Sequence, residues 1–169
     1  MVILGQMEWF FGSADNNNGI PSFSLGITLE DNIYYRNDDQ HKVFDNHNII
    51  KEKIYNVDVE KNNIQINDVK YNSEMNLLSS KQNYSSYIFA RHQLYPLNAY
   101  SCFIGKIFSC NIYEDNICIR NFIPCYCTTT VIDVNNKQCE SGTIGMYDLV
   151  EGKFYTNQGT GEFLKGKDI

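Results

Sequence analysis

Hydrophobic and polar residues alternate with a period of two along most of this chain, and turn-forming residues interrupt the alternation at short intervals. In residues 1–11, "MVILGQMEWFF", the positions Ile3, Gly5, Met7, Trp9 and Phe11 share one side, as in a half-buried strand. "GSADNNNGIP" then ends that strand with turn formers. Alternation returns in "SFSLGITLE", which puts Phe23, Leu25, Ile27 and Leu29 on one face, and "NIYYRN" follows a short turn at 30–32. This predicts a hairpin. "KIYNVDVEKNNIQINDVKYN" repeats the pattern with tight turns at 61–63 and at Asn67 and Asp68, so a meander is expected.

Residues 73–86 are polar and irregular, which predicts a surface excursion or one short helical turn. "YIFA" at 87–90 reads as a compact strand, and "RHQLYPLNAYS" after it as a break. "CFIGKIFSCNIYEDNICIRNFIPCYC" holds two alternating strands about a turn at 114–116, and "TTTVIDVNNKQCESG" leads on to residues 144–163, "IGMYDLVEGKFYTNQGTGEF". In that last stretch Ile144, Met146, Leu149, Phe154 and Phe163 are the apolar anchors. Glu151 and Gly152 form the expected hairpin turn, and Gly159 and Gly161 allow the tail to reverse. Asp148 and Asn157 are expected to fix turns by accepting hydrogen bonds from nearby backbone N–H groups. About ten short strands with turns roughly every 8–12 residues make the chain all-β, a sandwich or barrel.

Composition agrees. A chain of 169 residues, 43% hydrophobic, suits one domain over 1–169 with a substantial core. Twelve Tyr and ten Phe against three Pro favour strands, where aromatic and β-branched side chains pack well.

Charge narrows the partners. The net charge of −6 is dispersed, with 8 basic against 12 acidic residues over 1–100 and 6 against 8 over 101–169. Nucleic acid requires clustered Lys and Arg to replace its counterions, so no nucleic-acid partner is expected, and no membrane surface for the same reason. "MVILG" lacks the positive flank, long apolar run and small-residue site of a signal peptide. No stretch approaches the roughly 18 apolar residues of a spanning helix. A soluble protein that is not secreted through a signal peptide is the expectation.

Cys102, Cys110, Cys118, Cys125, Cys127 and Cys139 all lie in the second half. The one close pair, Cys125 and Cys127, has a spacing that places both on one face of a strand and does not make a zinc knuckle. Buried thiols in a reducing compartment are therefore expected, with no metal.

Two stretches carry a resemblance. "GKIFSCNIYEDNICIRNFIPC" and "GTIGMYDLVEGKFYTNQGTGEFLKG" resemble the concanavalin A-like, laminin-G-like modules of tailed-phage structural proteins, prophages and gut bacterial surface proteins. The shared pattern is a K-I-[YF]-S-C-x-I-Y strand, an R-[DN]-F-[IV]-P-C strand, then I-G-[LM]-Y-D and K-F-Y-T-N-x-G-T-G-x-F. It covers residues 104–166 and includes Cys110, Arg120, Pro124, Cys125, Tyr147, Asp148, Tyr155 and Asn157. Upstream, "FFGSADNNN", "VEKNNIQINDVKY" and "YIFAR" match more loosely in the expected order. The resemblance implies a concanavalin A-like jelly-roll β-sandwich of two antiparallel sheets, encoded by a phage or prophage and located in the host cytoplasm or the virion. The family's opening strand, of the form Y-I-D-T-G, is missing, and Cys118, Cys127 and Cys139 lie outside the pattern. That strand commonly pairs near the last one, so an open edge is expected at 161–164. A second copy of the chain, the 73–86 excursion or "MVILG" would cover it, because bare edges invite association.

Candidate chemistry is sparse. In "NVDVE", residues 56–60, Asn56 stands where laminarinase-like glycosidases that share the sandwich carry a nucleophilic carboxylate. A retaining glycosidase needs two carboxyl groups about 5–5.5 Å apart, so Asp58 and Glu60 read as the solvent face of a strand and no enzyme is expected. "DNNNG" at 15–19 offers oxygen ligands for calcium but lacks the remaining carboxylates of a six- to eight-oxygen site, so no cofactor is expected. His41, His47 and His92 stand in polar, loop-like contexts.

Binding chemistry remains. Rings beside amides and charges occur at Tyr34, Tyr35, Arg36 and Asn37 and at Arg91, His92 and Tyr95, the composition expected where a sugar stacks and hydrogen-bonds. A non-catalytic module for a glycan or other surface polymer is the leading expectation. The alternatives are a structural or oligomerisation module of a phage particle, and a small phage protein that sequesters a host metabolite or inhibits a host protein.

Overall fold

Period-two alternation becomes strand wherever a second strand lies close enough to take its backbone hydrogen bonds. The computed structural model describes residues 8–14, 23–28, 30–37, 40–50, 53–60, 63–72, 87–88, 91–94, 97–100, 105–157 and 163–165. Every regular element among them is a strand. Contacts divide the chain into two units, Met1–Ile104 and Gly105–Ile169, and each is described by itself.

In the first unit, β1 (Glu8–Ala14), β2 (Phe23–Ile27), β3 (Asn32–Asn37) and β4 (Gln40–Asn48) run as neighbouring antiparallel strands. On the far side of β1 lie β8 (Tyr87–Ile88), β9 (Arg91–Leu94) and β10 (Leu97–Tyr100). A separate meander comprises β5 (Val57–Glu60), β6 (Asn63–Ile66) and β7 (Val69–Asn72). The expected β2–β3 hairpin closes on Ile27 and Ile33, with Asp31 at φ 59° and the Thr28 hydroxyl accepting the Glu30 and Asn32 N–H groups. The meander turns at Asn67 and Asp68, where Asn67 has φ 51° and its Oδ1 accepts the Asn56 N–H at 2.9 Å.

The sheet and the meander bury a common core of Leu25, Ile33, Tyr35, Phe44, Ile64 and Ile66. Burial of this much apolar side chain, at roughly 1.5–3 kcal/mol each, is the main force joining them. Lys42 of β4 reinforces it by donating to the Asn72 carbonyl at 3.2 Å.

Four local expectations are corrected. β1 continues through Gly12, Ser13 and Ala14, because β2 on one side and β8 and β9 on the other take its backbone bonds. β4 has no sequence signature beyond Val43 and Phe44, yet it pairs with β3 through 40–44 and Asn48 around an irregularity, so His41 and His47 lie on a strand. Residues 91–94 and 97–100 form a hairpin in place of a break, which puts His92 on a strand as well. β1 and β9 pair in parallel through Ser13 with His92 and Ala14 with Gln93, so this sheet is not purely antiparallel.

The second unit has a four-stranded sheet in the order β11 (Cys110–Glu114), β12 (Ile117–Tyr126), β15 (Ile144–Asp148), β16 (Lys153–Tyr155). The β11–β12 turn falls at Asp115 and Asn116, both with positive φ, the geometry that matches strand twist in a two-residue hairpin. A small hairpin of β13 (Val131–Ile132) and β14 (Gln138–Cys139) accompanies the sheet. Cys127, Cys139 and Phe154 form the buried core here, with Cys125, Val131 and Tyr147 packed against it. All five described cysteines are free thiols, and Cys102 lies outside the described residues. Residues 105–109, expected as strand, have no strand partner among the described residues.

Candidate functional site

The residues expected to bind a ligand do not form one exposed group. Tyr35 is fully buried in the core of the first unit, and Tyr34 is buried too. Because Ile33, Tyr34 and Tyr35 are all buried, β3 is covered on both faces, and neither ring offers an open stacking surface. Arg36 is half-buried. Asn37 ends β3, and Arg91 and His92 open β9 on the other side of β1 and β2 in the same sheet. Tyr95 lies outside the described residues, as do residues 15–19 and 73–86. Asp58 and Glu60 are exposed on β5, as a solvent face requires. Phe163 to Lys165 lie outside any strand, and residues 161 and 162 lie outside the described set.

Polar chemistry concentrates in the second unit, around Asp148 at the end of β15. Asp148 is fully buried, and its Oδ1 accepts the N–H groups of Asn121 and Val150, each at 3.0 Å. A carboxylate thereby replaces a backbone acceptor where β15 leaves the ladder. The turn that follows closes through the Gly152 N–H to the Asp148 carbonyl at 2.8 Å, and Gly152 has φ 68°. The expectation that Asp148 fixes a turn is thus met in detail, whereas Leu149, expected as an apolar anchor, is 54% exposed.

Arg120, on β12, reaches over this turn. Its Nη2 meets Glu151 Oε1 at 2.7 Å, its Nη1 donates to the Ile119 carbonyl at 2.6 Å, and its Nε stands 3.6 Å from Asp148 Oδ2. The last distance is an ion pair too long for a hydrogen bond, so Asp148 Oδ2 is buried with no hydrogen-bond donor. Glu151 Oε2 also receives Lys153 Nζ at 3.1 Å and the Tyr155 hydroxyl at 3.2 Å. The Tyr155 ring packs edge-on to Phe122, 5.2 Å between centroids, so β12 and β16 together hold this side of the sheet.

These contacts shift titration in opposite directions. The Lys153 ammonium holds the Glu151 carboxyl below its usual value against partial desolvation, helped by the Arg120 charge and the Tyr155 hydroxyl. Burial raises the Tyr155 phenol, and the neighbouring Glu151 charge raises it further. The group brings two basic side chains, Arg120 and Lys153, together with two carboxyl groups, Asp148 and Glu151. Its formal charge is balanced.

Asp133 forms a second polar knot. Its Oδ1 accepts the Asn135 and Lys137 N–H groups at 2.8 and 2.9 Å, and its Oδ2 accepts the Thr156 hydroxyl at 2.6 Å. Every bond is satisfied, so it reads as a structural clamp. Among the described residues no group of three or more His, Cys, Asp or Glu side chains is placed to hold a metal ion. Burial raises the thiols of Cys110, Cys125 and Cys127, which disfavours the reactive thiolate.

Sequence reasoning identified Asp148 as a turn residue and missed the group around it. Arg120 and Glu151 are distant in sequence and meet only because β12 and β15 pair. No family model, curated protein or solved structure matches this chain.

Proposed function

We propose that the protein is a non-catalytic binding module for a glycan or another surface polymer, built on a concanavalin A-like sandwich and encoded by a phage or prophage. The observation that carries the reading is the state of two carboxylates, the exposed Glu60 and the half-buried Glu151. Glu60 is held below the usual carboxylate range by the Asn63 amide and by Lys70, and Glu151 by Lys153, Arg120 and Tyr155. Glycoside hydrolysis needs one carboxyl group kept protonated to serve as acid, so its pKa must be raised. Both of these groups are pushed the other way. As ionised carboxylates they are acceptors suited to receive hydrogen bonds from hydroxyl groups.

A second reading has its own support. Ile117, Ile132, Leu149, Val150 and Leu164 are all at least half exposed in the second unit. Aliphatic side chains have little to offer a sugar and much to offer another protein, as in a structural or oligomerisation module.

Thermal unfolding across a panel of glycans, repeated at several protein concentrations, separates the two. A ligand or partner that binds the native state raises the midpoint by mass action. A rise with one glycan class supports the lectin-like reading. A midpoint that moves with protein concentration alone supports assembly and ends the glycan proposal.

A further inference from the structure

Asp148 Oδ2 is the unusual atom of the second unit: a fully buried carboxylate oxygen without a hydrogen-bond donor, 3.6 Å from the Nε of an arginine that is bonded at 2.7 Å to a different carboxylate. Two acceptors compete for one guanidinium, and the more exposed one holds it. The Glu151 side chain is 25% exposed and that of Asp148 is not exposed at all. A buried acceptor without a donor has lost its hydrogen bonds to water, and here only the longer ion pair to Arg120 offsets that loss. Closing the Asp148 gap needs a movement of about 0.6 Å to reach an ordinary N–H···O length.

We propose that Arg120 and Glu151 are a binding site for a neutral polyhydroxyl ligand, with Asp148 as the acceptor that receives the guanidinium when a ligand hydroxyl engages Glu151. This rests on the glycan-binding reading and gives it a location. A hydroxyl that donates to Glu151 Oε1 displaces Arg120 Nη2, and the guanidinium then closes on Asp148 Oδ2. The hydrogen bond broken at Glu151 is remade at Asp148, so ligand entry leaves no buried charge unpaired. Lys153, whose side chain is 56% exposed, is positioned to donate to an adjacent hydroxyl oxygen. Charge balance selects the class of ligand. An anion would meet two carboxylates and a cation two basic groups, whereas a neutral sugar presents donors and acceptors side by side.

The test is titration of the isotope-labelled protein with the methyl glycosides of glucose, galactose and mannose, followed through the Arg120 Nε–H resonance and the backbone amides of Asn121 and Val150. The expected result is a saturable shift of the Nε–H with at least one glycoside, reporting the new bond to Asp148. Glu151→Gln should weaken that response about tenfold or more, the cost of exchanging a charged acceptor for a neutral one. Asp58→Asn, on the solvent face of β5 in the other unit, should leave it unchanged. Glycoside-dependent shifts that spare Arg120, Asn121 and Val150 would overturn this site while leaving the glycan-binding reading intact. A spectrum that responds to none of the three glycosides would overturn both.

Discussion

The Thr156 hydroxyl donates to Asp133 Oδ2 at 2.6 Å across 23 residues of sequence, tying the segment after β16 to the turn of the β13–β14 hairpin. The Val134 N–H adds a bond to the Phe154 carbonyl at 3.0 Å, so the hairpin also covers the outer edge of β16. Two strands of two residues each could not hold this geometry alone, since an isolated two-stranded hairpin is marginal in water. Thr156→Val should therefore destabilise the second unit by about 1–3 kcal/mol, the cost of a buried acceptor left without its donor. Denaturant unfolding of the variant checks it.

Asp133 also links stability to pH. Burial alone would raise its carboxyl, but the Thr156 hydroxyl and the Lys137 and Asn135 N–H groups outweigh burial and hold it below its ordinary 3.8. A carboxyl with a depressed folded-state pKa contributes all of its stabilisation above its unfolded value and loses it as pH falls through the folded one. Stability should hold down to about pH 4 and fall below it. Asp133→Asn should be less stable at pH 7 and should show a flatter acid limb in thermal melts from pH 7 to 2.

Gly145 precedes the Met146–Tyr155 pair at the end of the β15–β16 ladder. A Cβ there would fall on the Tyr155 carbonyl oxygen and 2.7 Å from the Phe154 ring, and both belong to well-packed structure. Gly145→Ala should cost about 3 kcal/mol, as overpacking against backbone does. Gly152→Ala meets only the Tyr147 hydroxyl at 3.5 Å, so its cost is the strain of φ 68°, about 1 kcal/mol. The order of the two melting temperatures tests the distinction.

Asparagine plays two different parts in the hairpin turns. Asn116 has φ 64° and its side chain makes no hydrogen bond among the described residues, so Asn116→Gly should be neutral or stabilise by up to about 1 kcal/mol. Asn67 has a similar φ of 51°, but its Oδ1 accepts the Asn56 N–H, so Asn67→Gly should lose about 1 kcal/mol. Equilibrium unfolding of the pair should give changes of opposite sign or, at minimum, a clear gap.

Thiol chemistry should follow burial. Cys127 and Cys139 are 7% and 2% exposed within one core cluster. Iodoacetamide should leave both unmodified in the native protein and label them on unfolding, with mass spectrometry reading each position. Native labelling at Cys139 would show that the small hairpin opens readily.

The legible parts of this fold were local. The β2–β3 hairpin, the turn at Asn67 and Asp68, the turn at Asp115 and Asn116, and the turn at Gly152 all combine alternation with residues that tolerate positive φ, and both signals lie within a few neighbours in the sequence. The exposed face carrying Asp58 and Glu60 followed from the same alternation. Those signals sufficed for an all-β chain.

Other features had no local trace. β4 carries only Val43 and Phe44 as apolar residues and is a strand because β3 supplies its hydrogen bonds. β9 is a strand because it pairs antiparallel with β10 and in parallel with β1, a partner from the other end of its unit. Tyr35 looks the same in sequence whether it faces a ligand or a core, and only the meander packed above the sheet decides for the core. The same holds for Arg120 and Glu151, whose meeting depends on the register that sets Phe122 opposite Asp148. Alternation and turn chemistry are properties of neighbouring residues, so the sequence alone determined strand character and the tight turns. Which strands pair, which aromatic face is covered and which charges meet depend on long-range register, and that was settled only when the sheets assembled.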